Sequence, residues 1–180
     1  MPTPPPSDRT SALLRSVVDV ARAIFGAAAS SVFLLDEGAG ELVFRAVSGE
    51  GEDFLVGTRF PADRGIAGWV AASGQAMIAD DLASMPDFAR DLAESTRYVP
   101  KALMAAPLVS GFDDGPRVLG VLEVLDPVPQ PRSGLRDLDL LALFAHQAAL
   151  ALGVAEEPRV RESDEHMVDA FRDFLRARTA

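Results

Sequence analysis

Apolar positions change period several times along the chain, and each change predicts an element. From Thr10, the residues Leu13, Leu14, Val17, Val18, Ala21, Ile24 and Phe25 recur at helical spacing. This predicts a first helix ending near Gly26, with an apolar stripe that must pack on something. Ser30 to Asp36 (SSVFLLD) is short, β-branched and aromatic, and EGAG turns the chain into the alternating stretch Glu41 to Val47 (ELVFRAV). The pair reads as a strand hairpin. Glycines and acidic residues from Ser48 to Asp53 mark a loop, and Phe54 to Phe60 reads as a further strand leading to Pro61.

The next segment, GIAGWVAASG, places Ile66, Val70 and Ala71 on one side of a short helix closed by Gly74. Ala76 to Ala79 gives a brief strand. In SMPDFARDLAEST, Ser84 suits a helix cap, Pro86 and Asp87 suit the first turn, and Phe88, Ala89 and Leu92 form an apolar face, with Tyr98 beyond the end. Two apolar strands follow, ALMAAPLV (Ala102 to Val109) and VLGVLEVLD (Val118 to Asp126). The Gly and Asp residues of GFDDGPR fit a hairpin loop between them, and their apolar character places them at the sheet centre.

Leu135 to Val154 is the longest helix, with Leu138, Leu141, Ala142, Ala145, Ala148, Ala149 and Leu152 on one face and Phe144 widening it. A last amphipathic helix, about Asp164 to Arg178, follows the Pro158 break. Antiparallel strands with helices before, within and after them predict an α+β domain, a central antiparallel sheet of about five or six strands flanked by helices on both faces. The expected division is a proline-rich disordered tail at 1–9, one folded domain at 10–154, and a linker with an amphipathic helix at 155–180.

Composition narrows the function. The chain has 180 residues, 48% of them hydrophobic, and a net charge of -10 spread along its length. This suits one acidic globular domain. An acidic surface without a basic stripe makes nucleic acid and anionic membrane poor partners. The cysteine count is 0, which removes disulfides, thiolate metal sites, cysteine nucleophiles and thioether-linked chromophores. No apolar run approaches the roughly 20 residues of a spanning helix, so a cytoplasmic location is expected.

Individual residues each carry a sharp and a plain reading. Gly65 and Gly68 at a helix start suggest phosphate binding, but no Gly-Lys-Ser/Thr pattern follows, and a helix-initiating turn is preferred. Trp69 either stacks on a ligand or belongs to the core. Asp80 and Asp81 suit turn capping better than acid–base chemistry. Glu50, Glu52 and Asp53 lack the calcium-loop pattern. His146 and His166 stand apart with no companion at ligand spacing, so no metal is expected. Glu123 is the odd residue, a carboxylate inside an apolar strand, whose burial costs several kcal/mol unless it is paired or faces a wet pocket. A pocket or interface role is the reading taken.

The order of these elements resembles a GAF domain, over about Ser11 to Val154. The resemblance rests on Gly65, Ile66, Gly68, Trp69 and Val70, on Asp80 after the short strand, on Phe88, on Pro107 with Leu108, and on Gly120 with Val121. It implies a GAF/PAS-like sheet and a ligand pocket on one face. That pocket would be bounded by the hairpin around Phe33 and Phe44, the helix at Ile66 to Val70, the helix at Phe88 to Leu92, and the strand at Leu103 to Ala105. Trp69 and Met104 join the candidate ligand-binding residues, and Asp80, Arg97, Tyr98, Lys101 and Glu123 are the candidate polar groups.

Several ligands known for this family do not suit the chain. Cyclic-nucleotide-binding members carry an Asn-Lys pair after the strand equivalent to VLGVLEVLD, then a Phe and an Asp-Glu pair. Here Asp126 and Pro127 follow that strand, Leu135 stands at the aromatic position, and Asp139 precedes Leu140. Bilin attachment and the chemistry of free methionine sulfoxide reductases both use cysteine. Haem-binding members place a histidine where this chain reads DLAESTRYVPK. The expectation is a non-catalytic sensory or regulatory domain without bilin, haem or cyclic nucleotide. It would bind an unknown small molecule and act through a homodimer or a signalling partner. The alternative is a ligand-free interaction module whose pocket is filled by Phe33, Phe44, Phe88 and Met104.

Overall fold

A computed structural model describes residues 8–52, 54–85, 98–111, 115–129 and 136–153. Its elements are α1 (Asp8–Phe25), β1 (Ala29–Asp36), β2 (Glu41–Gly49), β3 (Arg59–Pro61), α2 (Gly65–Ser73), β4 (Met77–Ala79), a 3₁₀ turn (Leu82–Ser84), β5 (Leu103–Ser110) and β6 (Arg117–Leu125). A third helix, α3, spans residues 137–153. The predicted helices around Phe88 and at Asp164 to Arg178 lie outside the described residues.

The strands form one six-stranded antiparallel sheet in the order β3-β2-β1-β6-β5-β4. The expected α+β architecture holds. On one face, the buried stripe of α1 (Leu14, Val18, Phe25) and that of α3 (Leu141, Ala145, Leu152) share a core with Val32, Met104 and Leu122. On the other face, Ile66 and Val70 of α2 cover Phe33, Phe44, Leu103 and Val121. Burying a Leu, Val or Phe side chain contributes roughly 1.5–3 kcal/mol each, so these two layers are the main favourable contribution to folding.

One expectation needs correction. The strand placed at Phe54 to Phe60 shrinks to Arg59–Pro61. Its first half instead turns: the amides of Phe54 and Leu55 donate to the Gly51 carbonyl, and that of Thr58 donates to Leu55. Buried Leu55 holds the turn against the second core. The middle pair of the sheet is β6 with β1, while β5 lies one strand further out, still an interior strand paired with both β6 and β4.

Two irregularities set which side chains face which core. Val32 pairs with Ala46 and Phe33 with Phe44, leaving Arg45 as an extra residue in β2. This bulge reverses the phase of the strand. Leu42 and Phe44 face α2 before it, whereas Val47 faces α2 and Ala46 faces α1 after it. Gly120 lies where β6 presses on β1; a Cβ there would sit 1.9 Å from the Phe33 carbonyl oxygen.

Candidate functional site

Between the sheet and α2 lies a cavity of about 90 Å³. That is room for on the order of six waters, or for one small ligand. Its aromatic wall is a trio: Phe33 and Phe44 have ring centroids 4.4 Å apart, and Phe60 meets Phe33 edge-on at 5.3 Å. Each such contact adds roughly 0.5–1.5 kcal/mol beyond burial and fixes the ring positions. The trio comes from β1, β2 and β3, whose register brings the three rings to one end of the cavity.

Polar groups lie on the sheet beneath. Glu123 on β6 is paired in register with Ser31 on β1 and with Ala105 on β5, and both Ser31 and Glu123 line the cavity. Glu123 is only 8% exposed, and its carboxyl has no hydrogen-bond or ionic partner among the described residues. Burial pushes its pKa up from 4.5 to about 7, since a low-dielectric setting disfavours the charged form. Its register partners on the neighbouring strands, Ser31 and Ala105, both carry small side chains. By contrast, the hydroxyl of adjacent Ser30 donates to the Glu123 carbonyl at 3.0 Å, tying β1 to β6.

The helix above owes its position to Gly68. A Cβ on that residue would lie 2.7 Å from the Ala62 carbonyl oxygen, so only glycine lets α2 settle onto the preceding turn. Ile66 and Ala67 then line the cavity, and Gly74 caps the helix in a left-handed conformation, its amide donating to Val70 at 2.9 Å.

A clasp shapes one side. Asp126 follows β6 directly, at φ 48°, unusual for a residue other than glycine. Its Oδ1 accepts the amides of Lys101 at 2.8 Å and Ala102 at 2.9 Å, and the Tyr98 hydroxyl donates to its Oδ2. Tyr98 and Pro100 are thereby held on the cavity wall. Burial, then the bond to Asp126, pushes the Tyr98 pKa up, keeping the hydroxyl protonated as a donor.

Of the residues expected at a ligand site, the structure brings Phe33, Phe44, Ile66, Tyr98 and Glu123 around this cavity. Phe88, Leu92 and Arg97 lie outside the described residues. Met104 faces the other way and packs in the core under α1 and α3, because β5 alternates and its neighbour Leu103 takes the cavity side. Trp69 is 45% exposed, on the outer side of α2, so neither a core nor a cavity position fits it. Asp80 is exposed beyond β4, Lys101 is exposed and contributes its backbone amide to the clasp, and His146 is exposed on α3.

Sequence reasoning missed Ser31, Phe60 and Arg64. Ser31 carried the same signal as Glu123, a polar residue inside an apolar strand. Phe60 and Arg64 were brought in only by tertiary folding of β3 and its turn. Among the described residues, no group of three His, Cys, Asp or Glu side chains is placed to hold a metal ion. Nor is any helix among them long and apolar enough to cross a membrane.

The sequence model described as GAF domain matches residues 9–152. The cone cGMP-specific 3',5'-cyclic phosphodiesterase subunit alpha' of Mus musculus is 30% identical over 93 residues, which are 52% of this chain and 10% of that protein. The chain thus spans only a small part of that relative's length. Among solved structures, the GAF domain from a phosphoenolpyruvate-protein phosphotransferase of Coxiella burnetii superposes with a TM-score of 0.69 at 18% identity, covering 86% of this chain and 88% of that one. A free methionine-R-sulfoxide reductase from Neisseria meningitidis, solved with its substrate, gives 0.58 at 26% identity, covering 82% and 78%.

Proposed function

The chain belongs to the GAF domain family, whose roles are sensory and regulatory, and from that premise we propose that it binds a small ligand in the cavity beneath α2. Its bound state would be passed on through α1 and α3, to a second copy or to a signalling partner, without catalysis by this domain. A cytoplasmic setting belongs to the same reading. The observation that carries it is the buried pair Ser31 and Glu123, polar groups open to the cavity that the described residues leave unsatisfied. Buried polar groups are normally hydrogen-bonded, and an orphaned carboxyl calls for a partner from outside.

Chemistry through a thiol has no residue to use, since the cysteine count is 0. A cyclic nucleotide is also disfavoured. The position after β6 that would carry the family's Asn-Lys pair holds Asp126, whose carboxylate is engaged by Tyr98 and two amides. A phosphate would moreover meet Glu123 at the sheet.

Thermal unfolding in the presence of nucleotides, amino acids, aromatic acids and amines tests the reading. At least one class should raise Tm in the native protein and fail to do so in Ala67→Leu, whose larger side chain enters the cavity. No shift with any class, in a protein that also purifies without a bound small molecule, would support the ligand-free interaction module instead.

A further inference from the structure

The cavity's charge and shape narrow its ligand. Its lining includes the Glu123 carboxyl and the Ser31 hydroxyl on the sheet together with three mutually packed phenyl rings. Among the described residues the charged groups lining it are Glu123 on β6, Glu50 after β2, and Arg64 before α2, the last two exposed. Tyr98 is the remaining titratable group among the described lining residues, and its hydroxyl is turned to Asp126. From β1 and β5, the side chains beside Glu123 are Ser31 and Ala105, neither of which titrates. No cation from any of these elements is paired with Glu123 among the described residues.

Resting on the sensor reading above, we propose that the cavity takes a small organic cation. Its protonated amine or ring N–H would be received by the Glu123 carboxylate and the Ser31 hydroxyl, and its apolar body would lie against Phe33, Phe44 and Phe60. A cation would supply what no described residue is paired to give Glu123, a positive charge beside a desolvated carboxylate, where a hydrogen bond is charge-assisted and short. An overall charge of -10 raises the local concentration of cations and lowers that of anions. A carboxylate-bearing ligand would set two like charges together in a low-dielectric space, which disfavours it.

Proton linkage follows from the same geometry. Cation binding requires ionised Glu123, and burial holds that group's pKa at about 7. Affinity should therefore rise between pH 6 and pH 8 by about tenfold, following the ionised fraction.

Three probes of nearly one shape separate the possibilities: benzylamine, benzyl alcohol and benzoate, titrated at up to millimolar concentration into the full chain by saturation-transfer NMR and calorimetry. At pH 8, benzylamine should bind about tenfold or more tighter than the other two. Glu123→Gln should weaken benzylamine by a similar factor and so remove its advantage over benzyl alcohol. The pH series on the native chain provides an independent readout that needs no variant. Equal or tighter binding of benzyl alcohol or benzoate, or a benzylamine affinity that is flat from pH 6 to 8, overturns the cation proposal and leaves the sensor reading standing. Binding of none of the three also overturns it, and the thermal-shift panel then decides separately whether the cavity takes any ligand.

Discussion

Ser31 on β1 and Glu123 on β6 are register partners across the two central strands, buried side by side and facing one cavity. A carboxyl in that position makes stability depend on pH in an uncommon direction. Its pKa is about 7 in the folded protein against an ordinary 4.5. Below 4.5 both states are protonated. Between 4.5 and 7 the folded state holds a proton that the unfolded state has released, so stability falls as pH rises; above about 7 the difference is constant. The window amounts to roughly 3 kcal/mol at 1.36 kcal/mol per pH unit. Urea unfolding of the native chain and of Glu123→Gln at pH 5 and pH 8 should show the variant gaining on the native protein toward pH 8. An unchanged difference between the two pH values would count against a buried, unpaired carboxyl.

The Asp126 clasp gives a second expectation. Asp126→Ala removes the acceptor of three hydrogen bonds and leaves a Cβ residue at φ 48°. Unfolding measurements should show a loss of about 2–4 kcal/mol, and Tyr98→Phe a loss of about 1 kcal/mol. Losses below half a kcal/mol for Asp126→Ala would show that the clasp is not formed in solution.

Close backbone approach makes two glycines unequal. Gly68→Ala gains helix propensity of up to about 1 kcal/mol but must move α2 off the Ala62 carbonyl, 2.7 Å from the new Cβ. Overpacking costs about 1–3 kcal/mol, so a modest net loss is expected. Gly120→Ala would place its Cβ 1.9 Å from a carbonyl oxygen between the central strands, and here a loss above about 3 kcal/mol is expected. Finding Gly68→Ala the worse of the two by thermal unfolding would contradict this account of the sheet.

Exposed Val20 on α1 and Leu143 on α3 bear on self-association. Light scattering at high concentration should give twice the 19.1 kDa chain mass, and Val20→Asp with Leu143→Glu should return it to one. A strictly monomeric native protein would remove the dimer from the proposed signalling route.

Much of this arrangement was legible in the sequence where one face is apolar and the other polar. The α1 stripe, the β1–β2 hairpin and the α3 face followed from period alone. Glu123 stood out because a charge inside an apolar strand requires a physical reason. The phase of β5 was not legible: Leu103, Met104, Ala105 and Ala106 are all buried, so alternation could not say which pair faces the cavity. The same ambiguity left Trp69 without a face, since α2 is apolar nearly all round and only the sheet beneath it selects Ile66 and Val70. The bulge at Arg45 and the turn that shortens β3 depend on pairing partners far along the chain, which local pattern does not encode.

The central claim is that the cavity under α2 holds a small molecule against Glu123. Native mass spectrometry of the freshly purified chain, alongside Ala67→Leu and Glu123→Gln, tests it most directly. The account predicts an added small mass, or one acquired on incubation with benzylamine, that is lost in both variants and on acidification to pH 5. A bare chain mass under every condition, or an added mass that both variants retain, would contradict it.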